Sequence, residues 1–274
     1  MKKYAIVIPI YKESITKNEL LSLNQLVKVC YNDDMFFVCP QELELSNYKT
    51  EKKINKKEFD KSYFESIYSY SKLCTSYELY DAFSDYEYIL IYQLDAWIFK
   101  NDILNWCNTG YDYVGGPIFS PDSYWPDIMN NSRVPQVGNG GLSLRKVETM
   151  KTIFDRNGEV FNSLPEKIVE YINNGYPEDI TICNIINKYY FINIASYRKA
   201  LKFSWDFNCD YAYKLSGNNI PMAAHRVFAN KIFWKNFIPE LNTEEIVEEK
   251  VNEFKNIKSI SENIIAILKE DNVM

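Results

Sequence analysis

A single histidine, His225, stands in a chain of 274 residues. The six cysteines, at positions 30, 39, 74, 107, 183 and 209, form no C-x-x-C pair and have no histidine at zinc-ligand spacing. That scarcity excludes a zinc-finger organisation and reads the cysteines as free thiols of a reducing cytoplasm. Missing too are the glycine patterns that cradle phosphates: there is no G-x-G-x-x-G, and no Lys-Ser or Lys-Thr follows the glycines near position 140. No stretch approaches the ~20 apolar residues that span a bilayer, and the first apolar run breaks at Tyr11-Lys12-Glu13, too early for a signal peptide. Positive charge is not in excess. The formal net charge is −6, and the lysines are scattered except between Glu51 and Lys61, so nothing favours a nucleic-acid partner. Residues 51–61 read as a solvated loop or exposed helix.

What is present is apolar and aromatic. Hydrophobic residues make up 46% of the chain and charged residues 25%, which suits a soluble globular protein of one large or two small domains with a substantial core. The 22 tyrosines and 16 phenylalanines mostly fill that core, but they also suit a sugar ligand, whose ring stacks its apolar face on an aromatic side chain.

The chain is organised around Tyr86 to Phe99, Y-E-Y-I-L-I-Y-Q-L-D-A-W-I-F. Tyr88 to Tyr92 is an unbroken run of β-formers, expected of a strand buried on both faces. It stops at Gln93-Leu94-Asp95, which puts a carboxylate at the carboxyl edge of the sheet, where open α/β folds bind ligands; capping of the next turn is the plainer role for Asp95. Ahead of it, Lys3 to Tyr11 reads as a first strand ended by Pro9, Leu20 to Val29 as a helix, and Met35 to Cys39 as a second strand, the start of a parallel α/β unit. Tyr63 to Phe83 is expected to be helical with a break near Ser69 to Ser71; within it, Tyr68 to Lys72 either packs or helps to hold a nucleotide.

After Asp95, Ile98 to Trp106 is expected as a short helix and Tyr111 to Val114 as a strand, followed by a proline-rich loop to Pro135 of the kind that forms lids. Val137 to Arg145, V-G-N-G-G-L-S-L-R, holds three glycines in four residues, which permit positive backbone angles and close approach of a ligand, or simply turn the chain into a strand at Leu142 to Leu144. Glu166 to Asn173 reads as a helix, and Glu178-Asp179 precedes an apolar helix, Ile180 to Ile186, whose dipole favours acids in its first turn. The tail from Asn242 shows two amphipathic helices, the second opened by a Ser259 and Glu262 capping box, suited to packing on the body or pairing with a second copy.

Taken together, I-P-I-Y-K-E at 8–13, Q-L-D-A-W at 93–97, the glycine segment, P-E-D-I at 177–180 and A-A-H-R at 223–226 resemble the nucleotide-sugar-dependent glycosyltransferases of the A-type (GT-A) fold. They look more closely like a bacterial family of transferases found among surface-polysaccharide genes, over about Tyr4 to Phe228. The resemblance implies an α/β, Rossmann-like GT-A fold, with a central mostly parallel sheet flanked by helices in a domain at 1–240 and a C-terminal helical extension at 241–274. It implies transfer of a sugar from a nucleotide-sugar donor, a UDP-sugar first of all, to a glycan or lipid-linked acceptor, in the cytoplasm or at the inner membrane face.

In such enzymes an Asp-x-Asp motif holds Mn²⁺ or Mg²⁺ against the donor diphosphate; here Gln93 stands first and Asp95 last, so one charged ligand is missing. By the same resemblance His225 is a further metal or diphosphate contact, Arg226 or Lys202 neutralises phosphate, and Pro9, Tyr11 and Lys72 join the donor side. Gly138, Asn139, Gly140 and Gly141, with Trp205, shape the sugar and acceptor pocket. Asp179 is the general base of an inverting reaction, with Glu178 as the alternative. Two other readings compete: a binding protein that keeps the fold without turnover, and a glycoside hydrolase, which also uses two carboxylates.

Overall fold

The computed structural model describes residues 1–118 and 137–243. Most of the expected proline-rich loop and, past residue 243, the expected C-terminal helices lie outside them.

Strand β1 (Lys2–Pro9) buries Ala5 to Ile8 on both faces and ends where proline has no N–H to give to the ladder. Helix α1 (Lys17–Val29) starts at a reciprocal box in which Thr16 accepts from Glu19 N and the Glu19 carboxylate accepts from Thr16 N. It returns the chain to β2 (Met35–Pro40), parallel to β1. Residues 51–61 then depart from expectation. Asn55–Phe59 is a strand, β3, paired in parallel with β2 at the rim of the sheet. Its side chains are mostly exposed, so it carries no apolar alternation to betray it. Lysines on a rim strand discourage a second chain from adding to its open edge.

The stretch expected as one helix broken near Ser69 to Ser71 is two helices broken elsewhere, α2 (Ile67–Cys74) and α3 (Tyr77–Asp81). The serines start helices rather than end them: Ser66 and Ser69 exchange capping hydrogen bonds, and Ser76 accepts from Leu79 N.

Strand β4 (Tyr86–Tyr92) runs parallel to β1 and is buried along nearly all its length. Past Asp95, Trp97–Ile98 is a short strand, β5, and only Ile103–Cys107 is helical (α4). The expected helix loses its first turn because Trp97 and Ile98 pair with a later segment. Next come β6 (Tyr113–Val114), β7 (Gly116–Pro117), β8 (Val137–Gly138), which pairs with β7, and β9 (Leu142–Lys146). The main sheet has the order β3-β2-β1-β4-β9-β6, with β9 antiparallel to both of its neighbours.

Successive residues of a strand face opposite layers. Ala5, Val7, Ile89 and Ile91 pack with α2, α3 and the helices Val147–Phe154 and Glu166–Asn174. Ile6, Ile8 and Leu90 pack with α1 and α4. Behind the carboxyl end of β4, β10 (Ser204–Trp205) and β11 (Ala223–Ala224) join β5 in a small sheet over a third cluster that holds Trp97, Trp205 and Trp234. All six cysteines are buried and unpaired. Among the described residues no helix is long and apolar enough to cross a membrane.

Candidate active site

Two neighbouring groups of polar side chains meet over one loop, Gly138 to Gly141. The first group begins where β4 stops. Gln93 N donates to Gly141 O, and Ala96 N closes a turn on Gln93 O. Val227 N donates to Asp95 O and His225 N to Trp205 O, so the small sheet carries His225 onto the end of β4. His225 Nε2 lies 3.0 Å from Asp95 Oδ1 and 3.2 Å from Gln93 Oε1, and its Nδ1 is 3.4 Å from Asp206 Oδ1. Gly141 makes the room: a Cβ there would fall 2.1 Å from His225 Nε2. Arg226 adopts a left-handed φ of 51°, which brings its Nε to 3.4 Å from Asp206 Oδ1 and its guanidinium over the Phe207 ring at 4.7 Å.

Burial alone would lower the pKa of His225, but Asp95 and Asp206 outweigh it and raise it to about 10. For Asp95 burial works upward, and His225 with Arg226 reverses it, so the carboxyl is held below its usual range. Even so, Asp95 Oδ1, Asp206 Oδ1 and His225 Nδ1 are buried and complete no hydrogen bond. Their partners are charge contacts that lack hydrogen-bond geometry, an expensive arrangement for buried polar atoms. Among the described residues no group of three or more His, Cys, Asp or Glu could hold a metal ion. A carboxylate, an amide oxygen and the imidazole, once it gives up its proton to the incoming cation, do fit a hard cation that takes its remaining oxygen ligands from a diphosphate and water. In that state Asp206 would stand behind the imidazole and fix its tautomer.

A cavity of about 620 Å³ opens beside this group. Pro9, Tyr11, Gln93, Asp95, His225 and Arg226 all line it, so the structure brings these donor-side residues together. Phe64 to Ile67 and Tyr70 line it as well; Tyr70 falls in the stretch Tyr68 to Lys72 that was expected to pack or to help hold a nucleotide, whereas Phe64 to Ile67, around a capped helix start, were not expected there. Lys72 is exposed and does not line this cavity, since two residues on from Tyr70 it falls on the opposite side of α2. Lys202 is exposed on the helix Tyr197–Phe203.

The second group is the carboxylate pair. Glu178–Ile180 is one helical turn, and Thr181–Ile185 continues it as a wider π-helical turn, where a plain α-helix was expected; such turns gather at functional sites. Asp179 Oδ2 accepts from Asn139 N at 2.8 Å and Oδ1 from Ile180 N at 2.8 Å, and the residue stays partly exposed. Burial, and then the neighbouring charge of Glu178, push its carboxyl up to about 6.

Glu178 is placed differently. It is 6% exposed, with Oε1 at 2.8 Å from Arg145 Nη2 and Oε2 at 3.3 Å from Ser71 Oγ. Both of its oxygens are therefore taken.

The glycines serve close approach rather than positive backbone angles. The left-handed residue of the loop is Asn139, at φ 81°, a conformation that asparagine tolerates well. A Cβ on Gly138 would come within 2.9 Å of Asp179 Oδ2, and one on Gly140 within 2.3 Å of Glu178 Oε1.

Trp205 corrects an expectation. It is fully buried, donates Nε1–H to Leu201 O at 2.8 Å, and packs against Trp234, Phe233 and Tyr213, so no face of its ring is left for a sugar. Its neighbour Asp206 was missed, although it too is a carboxylate directly after a strand.

A family model matches residues 53–225, and the family is described as Protein of unknown function (DUF5672). No curated protein matches the chain. Among solved structures, the galactosyltransferase LgtC in complex with donor and acceptor sugar analogs superposes with a TM-score of 0.55 at 11% identity, over 94% of this chain and 95% of that one. Core-mannan synthase A from Aspergillus fumigatus, in a Mn/GDP form, gives 0.52 at 9% identity over 73% of each chain. Mouse xyloside xylosyltransferase 1, in its apo form, gives 0.51 at 13% over 81% of this chain and 97% of that one. At these identities the likeness is one of architecture: the chain has the α/β GT-A fold.

Proposed function

The chain belongs to the family described as Protein of unknown function (DUF5672), and from the site it builds we propose that it is a glycosyltransferase. In this reading it moves a sugar from a nucleotide-sugar donor, a UDP-sugar first of all, to a glycan or lipid-linked acceptor of bacterial surface-polysaccharide synthesis, with inversion at the anomeric carbon. One observation carries it. In a GT-A fold, a lone carboxylate at the end of the central strand, the only histidine of the chain and a second, more basic carboxylate are gathered around a single glycine loop. Residues 1–240 are the transferase domain of this proposal, and 241–274 a helical extension through which copies pair.

The donor diphosphate lies in the cavity beside Asp95, with Pro9 and Tyr11 along its wall and the Arg226 guanidinium facing the phosphate charge. Asp95 and His225 would hold Mn²⁺ or Mg²⁺, which supplies positive charge against the leaving diphosphate. Asp179 takes the proton of the acceptor hydroxyl as that oxygen attacks the anomeric carbon; the carbon–oxygen bond to the diphosphate breaks on the opposite face and the nucleoside diphosphate leaves with the electron pair. Backbone N–H groups hold both Asp179 oxygens in place, and a carboxyl near 6 is a stronger base than an ordinary one.

Gln93 in the place of the first Asp favours a second reading, a protein that binds the donor without turnover. Calorimetry with UDP and GDP, with and without Mn²⁺, followed by product analysis from labelled donors, separates the two. Nucleotide binding with product supports the transferase, binding without product for any donor and acceptor supports the binding protein, and no binding at all defeats both.

A further inference from the structure

Beneath the carboxylate pair lies Arg145, a guanidinium with no exposed surface. It lies on β9, in the middle of the main sheet's antiparallel half. Each of its nitrogens has a partner: Nε donates to Ser143 Oγ at 3.0 Å, Nη1 to Tyr80 OH at 3.1 Å, and Nη2 to both Glu178 Oε1 at 2.8 Å and Gly140 O at 3.3 Å. Through that one nitrogen Arg145 ties the glycine loop to the start of the turn that carries Asp179. A second stitch runs the other way, from Asn139 N to Asp179 Oδ2 at 2.8 Å. Adjacent residues of the loop are thus fastened to adjacent residues of the turn, Gly140 to Glu178 through the guanidinium and Asn139 to Asp179 directly.

A buried ion pair is a weak source of stability, because stripping water from two charges offsets most of their attraction. A pair of well-packed apolar residues would hold these elements together as firmly. What the charged fork adds is direction, since a planar guanidinium fixes the angle as well as the distance of its acceptors. Glu178 is correspondingly unsuited to be the base: it is sealed in and its charge is taken up by the Arg145 guanidinium, whereas Asp179 accepts only from backbone N–H groups and stays partly exposed.

We propose that Arg145 is a positioning residue, and that with Glu178 it forms a buried clamp that sets the Asn139–Gly140 peptide against Asp179 and aims that carboxylate at the acceptor. This rests on the reading of Asp179 as general base. Glu178, the alternative base at the level of sequence, is thereby assigned to the clamp.

The test uses the full chain. Arg145→Lys keeps the charge but cannot serve Glu178 and Gly140 from one plane. Its kcat falls by about 10²-fold, the loss expected when a reacting group is misplaced by about 1 Å, while the KM for donor and the affinity for UDP stay as in the wild type. Arg145→Met by itself strands the Glu178 charge and lowers the melting temperature. The double variant Arg145→Met/Glu178→Gln removes the stranded charge and regains the melting temperature, but kcat stays low. If kcat returns with the melting temperature in the double variant, the pair is structural only and the proposal is overturned.

Hydrogen exchange of the Asn139 amide gives an arm that needs no turnover. In Arg145→Lys this amide exchanges about tenfold faster or more, while amides of β4 keep their protection. An Asn139 amide protected as in the wild type overturns the clamp whether or not the chain turns over, whereas a wild type that forms no product defeats the base reading and leaves this arm to decide.

Discussion

The backbone N–H of Asn139 meets Asp179 Oδ2 at 2.8 Å across a separation of 40 residues. A residue in a left-handed conformation and a carboxylate at a helix start thereby hold each other in place. The contact joins the loop that leads into β9 to the turn where we place the chemistry.

If Asp179 is the general base, Asp179→Asn lowers the rate of transfer by about 10²-fold or more and leaves nucleotide affinity unchanged. Product formation from a labelled donor, measured beside calorimetry, checks both halves. Full activity in the variant would remove Asp179 from the mechanism.

The raised carboxyl makes a prediction about pH. Asp179 acts as a base only when ionised, so transfer is lost as pH falls through about 6. Stability runs the opposite way. The folded value lies above the ~3.9 of an unfolded chain, so the folded state takes up the proton more readily, and this contribution is fully present below the unfolded value and lost as pH rises through about 6. The melting temperature of Asp179→Asn relative to the wild type therefore improves between pH 4 and pH 7, by about 2–4 °C for each kcal/mol. A difference that stays flat over that range would contradict the shift.

Gly141→Ala should imitate the loss of His225. The added Cβ would lie 2.1 Å from Nε2 and 2.7 Å from Gln93 Oε1, so the imidazole and the amide must both move although every charge is retained. UDP affinity in the presence of Mn²⁺ falls about tenfold or more, as read by calorimetry, and unchanged affinity would separate His225 from the nucleotide.

Gln93→Asp restores a carboxylate where only an amide oxygen faces His225. Added ligand charge tightens a hard cation, so the variant binds Mn²⁺ about tenfold more tightly than the wild type in a calorimetric titration without nucleotide. No gain would show that position 93 does not face a cation.

Trp205 belongs to the core. Trp205→Ala costs about 3–5 kcal/mol in a urea melt, and the milder Trp205→Phe leaves the KM for donor and acceptor unchanged. A selective rise of KM in the Phe variant would return the ring to the sugar pocket.

The parallel half of the sheet was legible because its strands are continuous apolar runs, and Asp95 stood out because such a run stopped at a carboxylate. The edge strand Asn55–Phe59 was hidden, since the pairing that makes it a strand is backbone to backbone and its lysines face water. Serines between apolar residues look like interruptions, yet Ser66 and Ser76 open helices. At the site the residue types were readable and their partners were not. Arg145 closes a visible motif, but only the fold shows it sealed beneath Glu178. Trp205 has the composition of a sugar platform and the surroundings of a core residue.

The strand order β3-β2-β1-β4-β9-β6 also sets a timetable for a chain emerging from the ribosome. The first three strands can pair among themselves once Phe59 has emerged, and the rim they present at β3 is defended by lysines. The other rim is β1, whose Ala5 to Ile8 stay bare until Tyr86 to Tyr92 is synthesised and docks there. β4 must in turn wait for Leu142 to Lys146. Nascent chains are thus open to misassembly until both dockings are complete, first along β1 and then along β4, apolar margins that the finished protein no longer shows.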